Sequence, residues 1–315
     1  MSPSTGSPSP VPLRTLPSAL LLALGAACAS PPEEPYGLAD LEPVRSLVAE
    51  GRYDEAWDIL ESQEREYYDR DAQAEFSRLA GEVAWQLGDK DRAIRHYEEY
   101  IFYEAPDAEA ARLAEERLFE LGLELLEGRR KAFGIFPDRT RGATTLLHLA
   151  SWAPLSDLAD DALARVGEWH FQDRQFRDAI EDYRLLLRFH PDSEWADLAE
   201  FRIGHCQFLM IDGPWVDGRL IDGSLRQIQE YLRKYPSGLY RDQAEELVQT
   251  LEELSAGHHL VVGEYYEDIG NLRGARYRYR KASEEHAETE AAAEARRRLA
   301  ALPPPEEPET GGAEG

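Results

Sequence analysis

Apolar side chains recur at helical spacing through most of the chain, and proline interrupts them at wide intervals. The clearest unit runs from Ala179 to Cys206, where Pro191 separates two apolar stripes. Proline cannot continue a helix, and Ser193 can cap the helix that follows. The stripes are Ala179, Tyr183, Leu186 and Leu187, and then Ala196, Ala199, Ile203 and Cys206. The pattern therefore predicts a helix, a tight turn and a second helix.

Similar patterns occur several times along the chain. Each copy places alanine and an aromatic residue or leucine on one helical face, as tetratricopeptide repeats do. Four copies are Gly51-Tyr53-Ala56-Leu60, Gly88-Ala93-Tyr97-Pro106, Phe176-Ala179-Tyr183-Pro191 and Gly270-Leu272-Ala275-Tyr279. A weaker copy ends at Tyr231, Tyr235 and Pro236, with Ser224 at the alanine position. The preceding helices contribute small residues at Gly81, Gly167 and Gly263.

Three segments that begin with proline share a second repeated feature. They are residues 154–162, 191–199 and 236–244. In each, proline ends one helix, serine or its neighbour caps the next, and alanine allows close packing. One helical hairpin cannot bury its apolar face, so repeated hairpins stack. We predict an all-α fold over residues 38–302: a right-handed α–α superhelix, or tetratricopeptide-like solenoid, of about five to six helical hairpins.

The N-terminal segment has the features of a bacterial export signal. An apolar run from Leu16 to Ala27 is too short to span a membrane but suits a signal peptide. It is followed directly by Cys28, as in a lipoprotein cleavage site, although Gly25 occupies the position where leucine is usual. We predict a signal peptide over residues 1–27, a lipid on Cys28 and a tether over residues 28–37. Ordinary secretory cleavage is the alternative.

The chain is strongly acidic. It has 35 Lys and Arg residues against 61 Asp and Glu residues, a formal net charge of −26. This charge argues against nucleic acid as a partner, because phosphate binding needs a basic surface. Residues 303–315 are poor in apolar side chains and are predicted to form a disordered acidic tail. With only Cys28 and Cys206 present, disulfides cannot be the main source of stability.

Two segments, residues 129–141 and 210–223, do not fit the repeat. The first places five basic residues around three apolar ones, and the second combines three glycines with proline and tryptophan. Their candidate partner-contact residues are Phe133, Ile135, Phe136 and Trp215. The alternative is that the aromatic side chains pack inward and cover the solenoid. The spacing of Asp212, Asp217 and Asp222 is not that of a calcium loop, so we predict no metal.

The sequence contains none of the common catalytic or cofactor-binding motifs. Gly-x-Ser-x-Gly, the phosphate-binding Gly-x-x-x-x-Gly-Lys, Gly-x-Gly-x-x-Gly and His-Glu-x-x-His are all missing. The eight histidines are scattered, and adjacent His258 and His259 would point about 100° apart on a helix. We therefore expect neither an enzyme nor a bound cofactor.

Several segments resemble BamD-type outer-membrane assembly lipoproteins, a tetratricopeptide-repeat family. They are residues 191–206, the insertion with Trp215, residues 228–243 and residues 254–280, together with the N-terminal cysteine. The resemblance covers residues 155–302, whereas the first hundred residues match only the general repeat pattern.

The resemblance implies a periplasmic scaffold anchored to the outer membrane through its lipid. Its partners would be a β-barrel assembly protein, docked by the C-terminal repeats, and unfolded outer-membrane protein segments, received by an N-terminal groove. The alternative is a general periplasmic tetratricopeptide adaptor, of the Tol–Pal or cell-division type, with a different partner.

Overall fold

The computed structural model describes residues 36–63, 69–103, 107–129, 131–132 and 136–304. A 3₁₀ turn at Leu38–Leu41 precedes the first helix, and β1 (Lys131–Ala132) pairs antiparallel with β2 (Phe136–Pro137). The α-helices are α1 (Glu42–Ala49), α2 (Tyr53–Gln63), α3 (Arg70–Gln86), α4 (Lys90–Phe102), α5 (Ala108–Leu126), α6 (Arg139–Trp152), α7 (Ala159–Gln172), α8 (Phe176–Phe189), α9 (Ala196–Leu209), α10 (Gly218–Lys234), α11 (Arg241–Asp268), α12 (Leu272–Glu285) and α13 (Glu290–Ala301).

Consecutive helices pack against each other as hairpins, and the hairpins stack in chain order. Odd-numbered helices contact the next odd-numbered helix at α1–α3, α3–α5, α5–α7, α9–α11 and α11–α13. The described residues form six hairpins, from α1/α2 to α11/α12, and α13 covers α11 and α12. The helical repeat solenoid confirms the predicted fold class.

The stack of hairpins has two edges. Edge A contains the segments between hairpins, where even-numbered helices end and odd-numbered helices begin. Edge B contains the turns inside hairpins, including the two segments that do not fit the repeat. Those segments are shorter than the sequence suggested, because α6 begins at Arg139 and α10 begins at Gly218.

Proline ends three even-numbered helices at edge A in the same way. The preceding residues Ala153, His190 and Tyr235 have φ of −121°, −131° and −122° and ψ of 61°, 60° and 70°. This conformation lies outside the helical region, which the proline ring disfavours for the residue before it. Each preceding residue still donates its amide to the carbonyl four residues earlier, so the helix ends without an unpaired amide at that position.

Carboxylates near the starts of odd-numbered helices hold the next turn along edge A. Ser156 Oγ donates to Glu115 at 2.8 Å, and Ser193 Oγ donates to Asp160 at 2.6 Å. The Leu239 amide donates to Asp197 at 2.8 Å. A carboxylate in the middle of α11 holds the start of α13, where the amides of Glu290 and Ala291 donate to Glu253, each at 2.9 Å. Neighbouring hairpins are therefore joined by polar bonds as well as by apolar packing.

Glycine permits close helix approach inside five hairpins. Each glycine lies on an odd-numbered helix, directly beneath a large side chain of the following even-numbered helix. The pairs are Gly81–Tyr97, Gly122–Leu146, Gly167–Tyr183, Gly204–Ile228 and Gly263–Tyr279. A Cβ at these glycines would lie within 2.5–2.9 Å of that side chain. The sequence pattern identified three of these glycines and missed Gly122 and Gly204.

The spacing within each pair explains the two segments that do not fit the repeat. Tyr97, Tyr183 and Tyr279 follow their glycines by sixteen residues, whereas Leu146 and Ile228 follow theirs by twenty-four. The extra residues therefore lie in the edge-B turn of the α5/α6 hairpin and, in the α9/α10 hairpin, in the edge-B turn and the first turn of α10. In both hairpins, a glycine on the helix before the insertion still lies beneath a large side chain of the helix after it.

The buried side chains divide into three clusters. The largest extends from Leu41 to Cys206, the second lies around α9, α10 and the first half of α11, and the third lies around α12 and α13. Leu247 and Leu251 of α11 belong to the second cluster, whereas Leu260 and Tyr266 pack on the third. The 28-residue helix α11 thus joins two cores.

We predict that Gly263→Ala destabilises the chain by about 1–3 kcal/mol, because overpacking outweighs the gain of about 1 kcal/mol in helix propensity. The new Cβ would lie 2.5 Å from the ring of Tyr279, which is fully buried. The measurement is the free energy of urea unfolding, followed by helical circular dichroism.

Gly223→Ala on α10 is the matched control, because nothing lies within 4 Å of a Cβ at that position. It should raise the unfolding free energy by roughly 0.5–1 kcal/mol. Equal effects of the two substitutions would contradict the role given to close helix approach.

Candidate docking surface

The edge-B turn between α9 and α10 holds Trp215 in an outward position. Gly213 has φ of +86°, a conformation that favours glycine. A Cβ there would lie 2.6 Å from the Trp215 indole, so the ring lies directly over the Gly213 backbone. Asp217 ends the turn by accepting the Arg219 amide at 3.0 Å, which starts α10. The Trp215 side chain remains 70% exposed.

This turn is fastened to α11. His258 Nδ1 lies 2.9 Å from the Pro214 carbonyl oxygen, to which it can donate in the corresponding tautomer. A Cβ at Gly257 would lie 3.3 Å from the Pro214 ring, and one at Gly218 would lie 2.8 Å from the His258 ring. Gly218, Gly257 and His258 therefore allow the turn to pack closely against α11. Trp215 projects from this packed turn.

An apolar stripe continues along α11 from the point where the turn sits. Val261, Tyr265 and Ile269 follow Gly257 at intervals of four residues, so they lie on one side of the helix. Their side chains are 38%, 60% and 57% exposed. We define the docking surface as Trp215, Val261, Tyr265 and Ile269. Exposed apolar residues grouped in this way are characteristic of sites for a protein partner.

A polar cavity of about 240 Å³ lies beside the turn. Its lining includes Asp222, Ser255, His258, His259 and Arg278. His259 is buried, and its Nδ1 lies 3.1 Å from Arg278 Nη1, which can only donate to it. Burial and the Arg278 charge lower the pKa of His259 to about 4. His259 is therefore neutral at pH 7.

The candidate contact residues from the sequence have different outcomes. Trp215 is exposed in the turn described above. Phe133, Ile135 and Cys28 lie outside the described residues, and Phe136 begins β2 with only its backbone described. The α5/α6 and α9/α10 insertions share edge B but belong to different hairpins. The α11 stripe was not predicted from the sequence, although the four-residue spacing of Val261, Tyr265 and Ile269 indicates one side of a helix.

Potentially reactive side chains serve as packing elements. The Cys206 thiol is buried, which raises its pKa to about 12. His170 Nδ1 and Asp182 lie 2.5 Å apart and connect α7 to α8, while burial raises the pKa of Asp182. Within the described ranges, no group of three His, Cys, Asp or Glu side chains is placed to hold a metal ion. The same part of the chain contains no helix long and apolar enough to cross a bilayer.

The C-terminal part of the chain is similar to an outer-membrane lipoprotein family. A family model described as "YfiO: Outer membrane lipoprotein" matches residues 207–302. The chain is also 23% identical over 146 residues to "Outer membrane protein assembly factor BamD" of Caulobacter vibrioides. That similarity covers 46% of this chain and 48% of the relative, so the chain spans about half the length of the curated relative it matches.

Two solved structures are similar at low scores. A mutant of MamA is 18% identical, with a TM-score of 0.29, covering 64% of this chain and 94% of that chain. The "Apo Form of RapI" is 12% identical, with a TM-score of 0.32, covering 83% and 98%. The fold is therefore defined by the helix packing of this chain itself.

We predict that acid weakens the chain through His259. Its folded pKa of about 4 lies below the ordinary value of 6.5. The stability that depends on neutral His259 is therefore fully present above about pH 6.5. As the pH falls towards 4, the free energy of unfolding decreases by about 2–3 kcal/mol. Arg278, Lys281, His258 and Glu285 are the charged or titratable groups around it.

The measurement is the free energy of urea unfolding between about pH 7 and pH 4.5, compared with His259→Gln. The variant should lose less stability over this range, and His148→Gln on α6 controls for removal of a histidine. Parallel curves for wild type and His259→Gln would contradict the prediction.

Proposed function

We propose that the chain is a membrane-anchored periplasmic scaffold that binds partner proteins during assembly and insertion of outer-membrane β-barrel proteins. The observation that carries this proposal is the family match over residues 207–302, which includes all four residues of the docking surface. The BamD similarity supports the same assignment. We propose the outer membrane as its location, with a lipid on Cys28 and the solenoid facing the periplasm.

The proposed mechanism is binding rather than catalysis. Trp215 is an exposed indole on a fixed turn, so a partner that covers it need not order it first. Tryptophan and tyrosine are common among the residues that dominate interface energies. The α11 stripe extends this anchor along a helix with apolar contacts at regular intervals. The partner that we assign to this surface is a β-barrel assembly protein.

Unfolded outer-membrane protein segments are the second proposed partner. Stacked helical hairpins offer grooves between neighbouring helices that can receive an extended or helical peptide. The N-terminal hairpins are assigned to these segments, because the docking surface lies at the other end of the stack.

We predict that the pair of substitutions Trp215→Ala and Tyr265→Ala reduces capture of the β-barrel assembly protein from detergent-solubilised membranes. Removing a central aromatic anchor costs about 2 kcal/mol, or roughly thirtyfold in Kd. Phe102→Ala is the control, because Phe102 is 57% exposed and lies outside residues 207–302. The measurements are the amount recovered and the Kd for the purified partner.

Three outcomes of this experiment distinguish the functions. Loss of capture in the double variant alone supports the docking surface. Equal capture by all forms would support the β-barrel assembly protein as the partner but would contradict its binding at the docking surface. Consistent recovery of another periplasmic protein, without the assembly protein, would favour a general tetratricopeptide adaptor.

We predict that Cys28→Ala releases the chain from the membrane fraction, because the thiol is the acceptor for the lipid. The measurement is the distribution of the chain between membrane and soluble fractions, with the mass of the N-terminal peptide. Cys206→Ala is the control, because Cys206 is buried in the core. Unchanged membrane association of Cys28→Ala would contradict lipid anchoring.

A further inference from the structure

Edge A carries a row of exposed apolar side chains. They occur in the segments between hairpins, where a solenoid presents one turn per repeat. Leu155 is 96% exposed and Leu239 is 87% exposed, while Phe102 and Phe189 are each 57% exposed. The row extends over four successive hairpins, from the end of α4 to the turn after α10. Its apolar side chains therefore repeat along the edge rather than occurring singly.

These side chains are held outward by well-bonded turns. The Leu239 amide donates to Asp197, and the turn that contains Leu155 is held by the bond from Ser156 to Glu115. Leu155 and Phe189 line one open cleft of about 430 Å³ between neighbouring turns. The Phe102 ring packs edge-on against Trp152 at 5.4 Å, which leaves much of it exposed. Since these bonds fix the turns at Leu155 and Leu239, that part of the row is a formed surface and not frayed chain.

The chain also enters the solenoid at edge A. The 3₁₀ turn Leu38–Leu41 leads into α1, and odd-numbered helices begin at this edge. Arg45, in the first turn of α1, contacts Glu75 near the start of α3 at 2.7 Å, so the two helices start side by side. Cys28 precedes Tyr36 by eight residues, which reach at most about 29 Å when fully extended. A lipid on Cys28 would therefore keep the α1 end of edge A within about 29 Å of a bilayer.

We propose that edge A lies against the membrane surface and that Leu155, Phe189 and Leu239 enter the headgroup region. This inference rests on the anchoring part of the proposed function and adds the orientation of the solenoid. The lipid attaches the chain to the bilayer, and the apolar row determines which edge of the solenoid lies against the bilayer surface. Edge B then faces away from the membrane, and with it the turn that bears Trp215.

The charges beside Leu155 and Phe189 restrict the lipid. Asp157 and Asp192 line the same cleft as Leu155 and Phe189. Carboxylates beside the inserted side chains would be repelled by anionic headgroups. The surface therefore fits a zwitterionic bilayer such as phosphatidylethanolamine. Contact should weaken as anionic phosphatidylglycerol is added, and salt should reduce that loss by screening the repulsion.

The test uses the full lipidated chain in phosphatidylethanolamine vesicles, with an environment-sensitive nitrobenzoxadiazole label. Leu155→Cys and Leu239→Cys place the label on edge A, and Leu220→Cys is the matched control. Leu220 is 48% exposed in the first turn of α10, at edge B. Native Cys206 is buried with its pKa raised to about 12, so it does not compete for the label. The measurements are emission wavelength, quenching by brominated lipid and flotation with the vesicles.

The expected result is a blue shift with quenching by brominated lipid for the labels at 155 and 239, and neither effect at 220. Flotation without quenching at 155 and 239, or equal quenching at all three positions, would overturn the orientation while leaving the lipid anchor intact. A blue shift without quenching would assign edge A to a protein, such as a second copy. Absence of flotation would overturn both the anchor and the orientation.

Discussion

The structure depends on how closely two helices approach within each hairpin. A glycine on the odd-numbered helix accepts a large side chain of its partner, and Gly263 beneath Tyr279 is the tightest of the tyrosine pairs. A methyl group at that position would collide with a buried ring that has no free space to move into. Because every hairpin from α3/α4 onward uses this contact, the stack keeps one repeat geometry while its turns vary in length.

The glycine contact within each hairpin does not depend on the length of the turn that joins the two helices. This independence explains which features could be predicted from the sequence. Helix periodicity and proline positions were sufficient for the all-α solenoid, because they reflect local backbone chemistry. Gly122 and Gly204 were not predicted, because Leu146 and Ile228 follow them by more residues than the tyrosines follow their glycines. The Gly213 backbone beneath Trp215 could not be foreseen either, since it depends on a left-handed turn seated on a helix distant in sequence.

For the same reason, the candidate docking surface could be predicted only in part from the sequence. Trp215 was identifiable as a large apolar residue among glycines, but its exposure depends on how His258 holds the turn. The α11 residues looked like part of a long amphipathic helix. Only packing distinguishes the buried side around Gly263 from the exposed side at Tyr265. Likewise, Leu155 and Leu239 are ordinary leucines in the sequence and form a row only when hairpins align their turns.

The length of α11 has a mechanical consequence. Its 28 residues extend about 42 Å without a break, and its two halves belong to different cores. The last hairpin therefore cannot pivot at a loop relative to α9 and α10, because a continuous helix would have to bend. A force applied near Ile269 would be transmitted along α11 to its first residue, Arg241, next to the end of α10. The last two hairpins would then move together when a partner pulls on the C-terminal end.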